Sequence, residues 1–203
     1  MGFYSRYILP RAVDITCGVR PIARQRDKIV PKASGVVLDV GFGTGRNLPH
    51  YDPDRVELVL ALEPAPDMWA LARNSMAETE LPIRLLNAGG EAIPLATGSI
   101  DTVVVTYTLC TIPDPVPALR EIRRVLKEGG SLLFTEHGEA PDAGVRRWQS
   151  RINPIWKRLA GGCNLDRNIP ELLIEAGFEL PELSAMYIPG IKIASYNYWG
   201  RAQ

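Results

Sequence analysis

Three alternating glycines behind an acid, Asp39-Val40-Gly41-Phe42-Gly43-Thr44-Gly45, constrain the chemistry of this chain more than any other stretch. Glycine lets a backbone turn at positive φ and lie close against a ligand, because no Cβ intervenes. The loop reads as a nucleotide cradle. Dinucleotide sites use Gly-x-Gly-x-x-Gly to lead a pyrophosphate onto a helix N-terminus, whereas here the third glycine comes one residue early. No Lys-Ser or Lys-Thr pair follows, so a P-loop is excluded. Asp39 would repel a pyrophosphate but suits a ligand with a cationic amino group and no phosphate. Glu63 ends the next apolar run, roughly 20 residues on, where a carboxylate accepts hydrogen bonds from ribose hydroxyls.

S-adenosylmethionine is a ligand with those properties; a dinucleotide site and a purely structural glycine turn are the alternatives. Methyl transfer from a sulfonium is an in-line displacement on an activated group, so the protein must mainly align the nucleophile and exclude water. His137 is the candidate general base, since its ordinary pKa is near neutrality; the alternative is a histidine that anchors its loop. His50 reads as a surface residue. Cys17, Cys110 and Cys163 are an odd number at wide spacings, which argues for a reducing compartment and against a disulfide scaffold or zinc site. Cys110 and Cys163 read as small apolar fillers. Tyr4, Tyr7, Trp148, Trp156 and Tyr196 read as packing residues, some able to line an apolar acceptor pocket. The run Arg120, Glu121, Arg123, Arg124 reads as a solvated helix face.

These residues need a scaffold of alternating strands and helices. Val36–Val40 is an apolar run that breaks into the glycine loop, with a short helix expected from Asn47 to Tyr51. Val56–Glu63, Ile83–Leu86, Asp101–Tyr107 and Ser131–Thr135 are the following strands, and the fourth, Asp101–Tyr107, reads as continuously apolar in the way of a central parallel strand. A helix opens at Pro64 and Pro66. Another runs from Asp114, its expected cap, to Leu126, with Gly129-Gly130 as the stop. A further helix starts at Ile169-Pro170, and Phe178–Ile188 with Ile191–Trp199 form a closing hairpin. The fold class predicted is α/β: a Rossmann-like, doubly wound, mainly parallel seven-stranded sheet with a C-terminal antiparallel hairpin and an N-terminal helical flap.

The 203 residues, 46% hydrophobic and 23% charged with a formal net charge of zero, fit one domain. It divides into a flap (1–34), a cofactor-binding core (35–137), a substrate-side insertion (138–168) and a C-terminal helix and hairpin (169–203). No basic excess announces a nucleic-acid partner. No apolar run reaches membrane-span length, and the first 20 residues lack a signal-peptide pattern, so a cytoplasmic protein is expected. The flap is locally basic, with Arg6, Arg11, Arg20, Arg24, Arg26, Lys28 and Lys32 against Asp14 and Asp27. Its apolar stripe is broken by Pro10 and Pro21, which predicts two short helices. They would pack on the domain, close over substrate as a lid, or make a weak peripheral contact with anionic lipid headgroups.

The Asp-x-Gly-x-Gly-x-Gly string and the acid after the next strand resemble motif I of the class I methyltransferases. Ala92-Ile93-Pro94-Leu95 with Ser99-Ile100-Asp101, and Glu121-Ile122-Arg123-Arg124-Val125-Leu126-Lys127-Glu128-Gly129-Gly130, are similar to segments of the ubiquinone and menaquinone C-methyltransferase group. Leu109-Cys110, Glu136-His137 and Gly162-Cys163-Asn164-Leu165 with Arg167 resemble the narrower methyltransferase-like family that includes thiol methyltransferases. The resemblance implies that Asp39, Gly41, Gly43 and Gly45 hold the amino-acid part of the cofactor and Glu63 its ribose. Asn47, Pro64, Gly90, Glu91, Tyr107 and Leu109 complete the expected cofactor set, with His137 catalytic and no metal. Gly89 stands where the broad group has an adenine-binding Asp, and Phe42 where it has a smaller residue. The implied acceptor is a small apolar molecule: a thiol, a lipid-like amine, or a phenol or quinol. The competing readings are a catalytically silent cofactor-binding sensor and, further off, a dehydrogenase.

Overall fold

The structure, a computed structural model, describes residues 9–203. Seven strands form one sheet in the order β3-β2-β1-β4-β5-β7-β6. The parallel set is β1 (Gly35–Val40), β2 (Val56–Leu62), β3 (Ile83–Leu86), β4 (Ile100–Thr106) and β5 (Leu126–His137). β7 (Tyr196–Ala202) inserts antiparallel between β5 and β6 (Glu182–Tyr187). The order reverses between β1 and β4, and ligands of open parallel sheets bind beyond the strand ends at such a reversal.

Strand alternation splits the core into two layers. Leu38, Val40, Val103, Val105, Leu132 and Phe134 face α4 (Pro115–Val125) and α6 (Ile169–Glu175) through Leu119, Ile122 and Leu173. Val37, Val59, Val104 and Leu133 face the other way, against Ile29 of α2 (Arg20–Ile29) and Ala72 of α3 (Pro66–Ala77). Most of these side chains are completely buried, each worth about 1.5–3 kcal/mol relative to exposure.

The described part of the flap carries a 3-10 turn at Val30–Lys32 and the helices α1 (Leu9–Cys17) and α2. Pro10 and Pro21 fall in their first turns, where a missing N–H costs no intrahelical bond. The break lies instead at Gly18-Val19, where Val19 is extended. Phe3, Tyr4, Arg6 and Tyr7 of the flap lie outside the described residues. Among the described residues no helix is long and apolar enough to cross a membrane.

The structure differs from the expectations at five points. The helix after the glycine loop is a single 3-10 turn, Leu48–His50, because Pro49 lacks an N–H and Pro53 biases the chain ahead of it to extended geometry. α4 ends at Val125, not at Gly129-Gly130; Leu126 is already extended, and the glycines lie inside the long β5. Asp114 is at the N-cap of α4, but its side chain makes no capping bond. The 138–168 stretch carries a 17-residue helix, α5 (Ala143–Leu159). The second arm of the closing hairpin starts at Tyr196, after a 3-10 turn at Lys192–Ala194.

Candidate active site

β1 delivers the backbone into the glycine loop, where Gly41, Gly43 and Gly45 have φ of 70°, 57° and 78°. L side chains rarely adopt such angles. At Gly41 a Cβ would also collide with the Thr108 side chain. The loop forms one wall of a cleft of about 340 Å³, within the usual range of roughly 300–1,000 Å³ for small-molecule sites. Glu63, one residue past β2, and Ala65 and Met68 at the start of α3 form the next wall. Thr106, Tyr107, Thr108 and Thr111, at and beyond the end of β4, form the floor. Asp14, Cys17 and Arg26 of the flap close the remaining side, together with Ala160 and Gly161.

Glu63 is 8% exposed and its two oxygens accept from Gly43 N–H at 3.0 Å and Ala65 N–H at 2.9 Å. Burial pushes its carboxyl up, against the opposing pull of those two backbone bonds. Each carboxylate oxygen keeps a lone pair for a ligand hydroxyl.

Behind the loop lies a buried polar network. Arg26, 4% exposed, donates from Nε to Asn47 Oδ1 at 3.0 Å and from Nη1 to the Cys17 carbonyl at 2.8 Å. Thr106 Oγ1 donates to the same Asn47 oxygen. Asn47 Nδ2 donates to both oxygens of Asp39, at 2.9 and 3.1 Å, and Tyr51 Oη donates to Asp39 at 2.9 Å. Burial raises Asp39 to about 7, even though Tyr51, Asn47 and Arg26 favour its charged form. On the outer rim Asp14 accepts from Thr44 Oγ1 at 2.5 Å and pairs with Arg46 at 2.7 Å. Thus α1 is tied to the glycine loop by Asp14, and α2 by Arg26.

Of the expected set, Gly41, Gly43, Asn47, Glu63 and Tyr107 line the cleft. The others stand elsewhere. Asp39 is 1% exposed beneath the loop and acts by holding Asn47. Gly45 packs under Leu48, Ser75 and Phe42. Leu109 is fully buried in the core, Pro64 is exposed, and Gly90 packs toward Ala118 and Ile112. Glu91 is exposed, with its carboxylate folded beside Gly89. The Phe42 ring stacks on Trp69 with centroids 6.1 Å apart and is 4% exposed, so the core absorbs most of its bulk.

His137 does not line the cleft either. Its Nε2 lies 3.1 Å from Cys163 Sγ, and Nδ1 is buried with no partner among the described residues. Direct proton abstraction in the cleft is therefore not what this placement supports. The wide sequence spacing that argued against a metal site is closed by the fold, which brings donor atoms of Cys110, His137 and Cys163 within 4.8 Å of one another. His50 is no free surface residue; its Nδ1 lies 2.6 Å from Asp27 of α2. Trp148 is 56% exposed rather than packed, while Tyr196 packs edge-on against Tyr187 and Tyr198. Arg124 and Glu121 do more than face solvent: they pair, and they bind the Ile93 and Leu95 backbone.

The sequence reading missed Asp14, Cys17, Arg26, Arg46, Thr44 and Met68. Arg26 carried the one usable signal, a cation on a helix stripe otherwise turned to the core. Tyr107 carries another feature invisible in sequence, a φ of 54° at a non-glycine residue, of the kind that clusters at functional sites.

A methyltransferase-domain family model matches residues 38–134. Human thiol S-methyltransferase TMT1B is 40% identical over 152 residues, covering 72% of this chain and 62% of that protein. Human thiol S-methyltransferase TMT1A is 33% identical over 163 residues, covering 78% of this chain and 66% of that protein. The chain thus spans somewhat under two thirds of these curated relatives. A Thermotoga maritima structure described as a SAM-dependent methyltransferase, possible histamine N-methyltransferase, superposes with a TM-score of 0.68 at 20% identity over 98% of this chain and 97% of that one. This last likeness bears on the fold alone.

Proposed function

Because the chain belongs to the class I S-adenosylmethionine-dependent methyltransferases, we propose that its cleft transfers the donor's methyl group to a small thiol. The observation that carries this reading is the meeting of the glycine loop, the Glu63 carboxylate and the buried Arg26 in one cleft. The first two suit the cofactor. The third suits an anionic nucleophile, and the relatives named as thiol S-methyltransferases agree with it.

The residues divide the work by physical type. Loop N–H groups and Asn47 would hold the amino-acid end of the cofactor, and Glu63 would accept from its ribose hydroxyls. When bound, the cofactor supplies an activated methyl, so the acceptor needs only a lone pair held in line. A thiol attacks as thiolate. The buried Arg26 cation favours that charge through a low-dielectric path. Asn47 and the Cys17 carbonyl keep its guanidinium in place, and Thr106 holds Asn47. No side-chain base on the cleft wall is required if the acceptor enters already ionised.

Transfer from labelled donor to a panel of alkyl thiols, amines and phenols tests the reading. Thioether formation is the expected outcome. Methylation confined to amines or phenols would remove the thiol assignment. Cofactor binding without turnover on any acceptor would favour the silent-sensor alternative.

A further inference from the structure

Cys110, His137 and Cys163 come from three separate segments, and each is held by bonds independent of the cluster. Glu136, fully buried at the end of β5, accepts from Thr108 N–H at 2.5 Å and Leu109 N–H at 2.8 Å, pinning the segment that carries Cys110 to the strand that carries His137. Asn164 donates twice to the Cys110 carbonyl, from its backbone at 2.8 Å and from Nδ2 at 2.9 Å, which sets Cys163 beside Cys110. Gly161 and Gly162, at φ of 63° and 95°, turn the chain back after α5 so that this return is possible. Arg167 donates to the Leu109 carbonyl from the far side.

Three soft or borderline donors converge as a result. His137 Nε2 is 3.1 Å from Cys163 Sγ, and all three donor atoms lie within 4.8 Å of one another. Metal–ligand bonds of about 2.3 Å to sulfur and 2.0–2.1 Å to nitrogen imply ligand–ligand edges of roughly 3.5–4 Å in a tetrahedral site, so small rotamer adjustments suffice. Cys110 is 3% exposed. The second oxygen of Glu136 is buried without a partner among the described residues. With both thiols ionised, the neighbourhood holds three negative charges against the Arg167 cation, and a divalent ion would balance them.

We propose that Cys110, His137 and Cys163 bind a zinc ion that staples the segment after β4, the end of β5 and the turn after α5 into one unit. This does not rest on the thiol-acceptor reading. Because thiols must lose protons to bind, affinity rises with pH and binding releases protons.

The test uses the full chain, reduced and stripped of metal, titrated with Zn²⁺ alone in the absence of cofactor. The expected result is one tight equivalent, a raised melting temperature, and protection of Cys110 and Cys163, but not Cys17, from maleimide alkylation read by mass spectrometry. Cobalt(II) in place of zinc should give thiolate charge-transfer absorption. C110S and C163S should each weaken zinc roughly a hundredfold or more, while C17S binds as the parent does. If a serine variant fails to fold, the alkylation pattern of the parent chain decides. Absence of stoichiometric binding, zinc held with Cys110 and Cys163 still alkylated, or a Cys110–Cys163 disulfide forming unhindered by zinc would overturn the site.

Discussion

Asp39 was legible as an acid before a glycine loop, but its work was not: burial beneath Asn47 and Tyr51 depends on where a 3-10 turn places those two side chains. The consequence is a titration. Its folded pKa of about 7 lies above the ordinary aspartate value of 3.8, so between those values the unfolded chain holds fewer protons and stability falls as pH rises. Thermal melts between pH 4 and 8 should show that decline, and Asp39→Asn should flatten it. Binding of a donor with a cationic amino group should strengthen over the upper part of the same window, as Asp39 ionises. Calorimetry at pH 6 and 8 checks the sign. Glu63 was legible in place: it lines the cleft one residue past β2. Glu63→Ala removes an acceptor whose charge-assisted bonds are worth about 1.5–3 kcal/mol each, so donor affinity should fall at least tenfold. NAD should not compete with the donor in the parent protein; displacement of the donor by NAD would contradict the cofactor assignment.

The glycine loop, α1 and α2 act as one element. A Cβ at Gly43 would make only ordinary contact, with the Gly41 carbonyl oxygen at 3.7 Å and Met68 at 3.9 Å, but the φ of 57° is hostile to a β-branched residue. Gly43→Val should therefore abolish donor binding while leaving circular dichroism close to the parent. Gly41→Ala should cost more stability than Gly43→Ala, since the Thr108 side chain must also move; comparative melts decide. The strands were readable because a parallel sheet buried on both faces demands apolar runs, and Val36–Leu38, Leu58–Leu62, Val103–Val105 and Leu132–Phe134 supply them. The flap's part in the site was not, because Asp14 and Arg26 sit 30 and 21 residues from their partners Thr44 and Asn47. Nothing local marks such pairs. The Cys110–His137–Cys163 cluster was hidden for the same reason: separations of 26 residues and more become adjacency only once β5 and the turn after α5 are placed.

For the whole molecule, the flap's ties alter what truncation should do. A flap that served only as a lid over substrate could be removed without loss of cofactor affinity. The structure places Asp14, Cys17 and Arg26 on the cleft wall and bonds two of them to the cofactor loop. Truncation should therefore weaken both ligands, the donor by tenfold or more by calorimetry; unchanged donor affinity would mean the loop needs no support from the flap. A second molecule-wide feature is the place of β7. It is threaded between β5 and β6, both of which precede it in the chain, and its Asn197 accepts from the Tyr107 hydroxyl at 2.7 Å. Translation therefore makes this strand after both of its neighbours. Until Tyr196–Ala202 has left the ribosome, β5 waits with one edge open and Tyr107 of the cleft floor lacks its Asn197 partner. An exposed edge of that kind invites wrong partners, so nascent chains stalled before Tyr196 should be bound by chaperones and hold no cofactor.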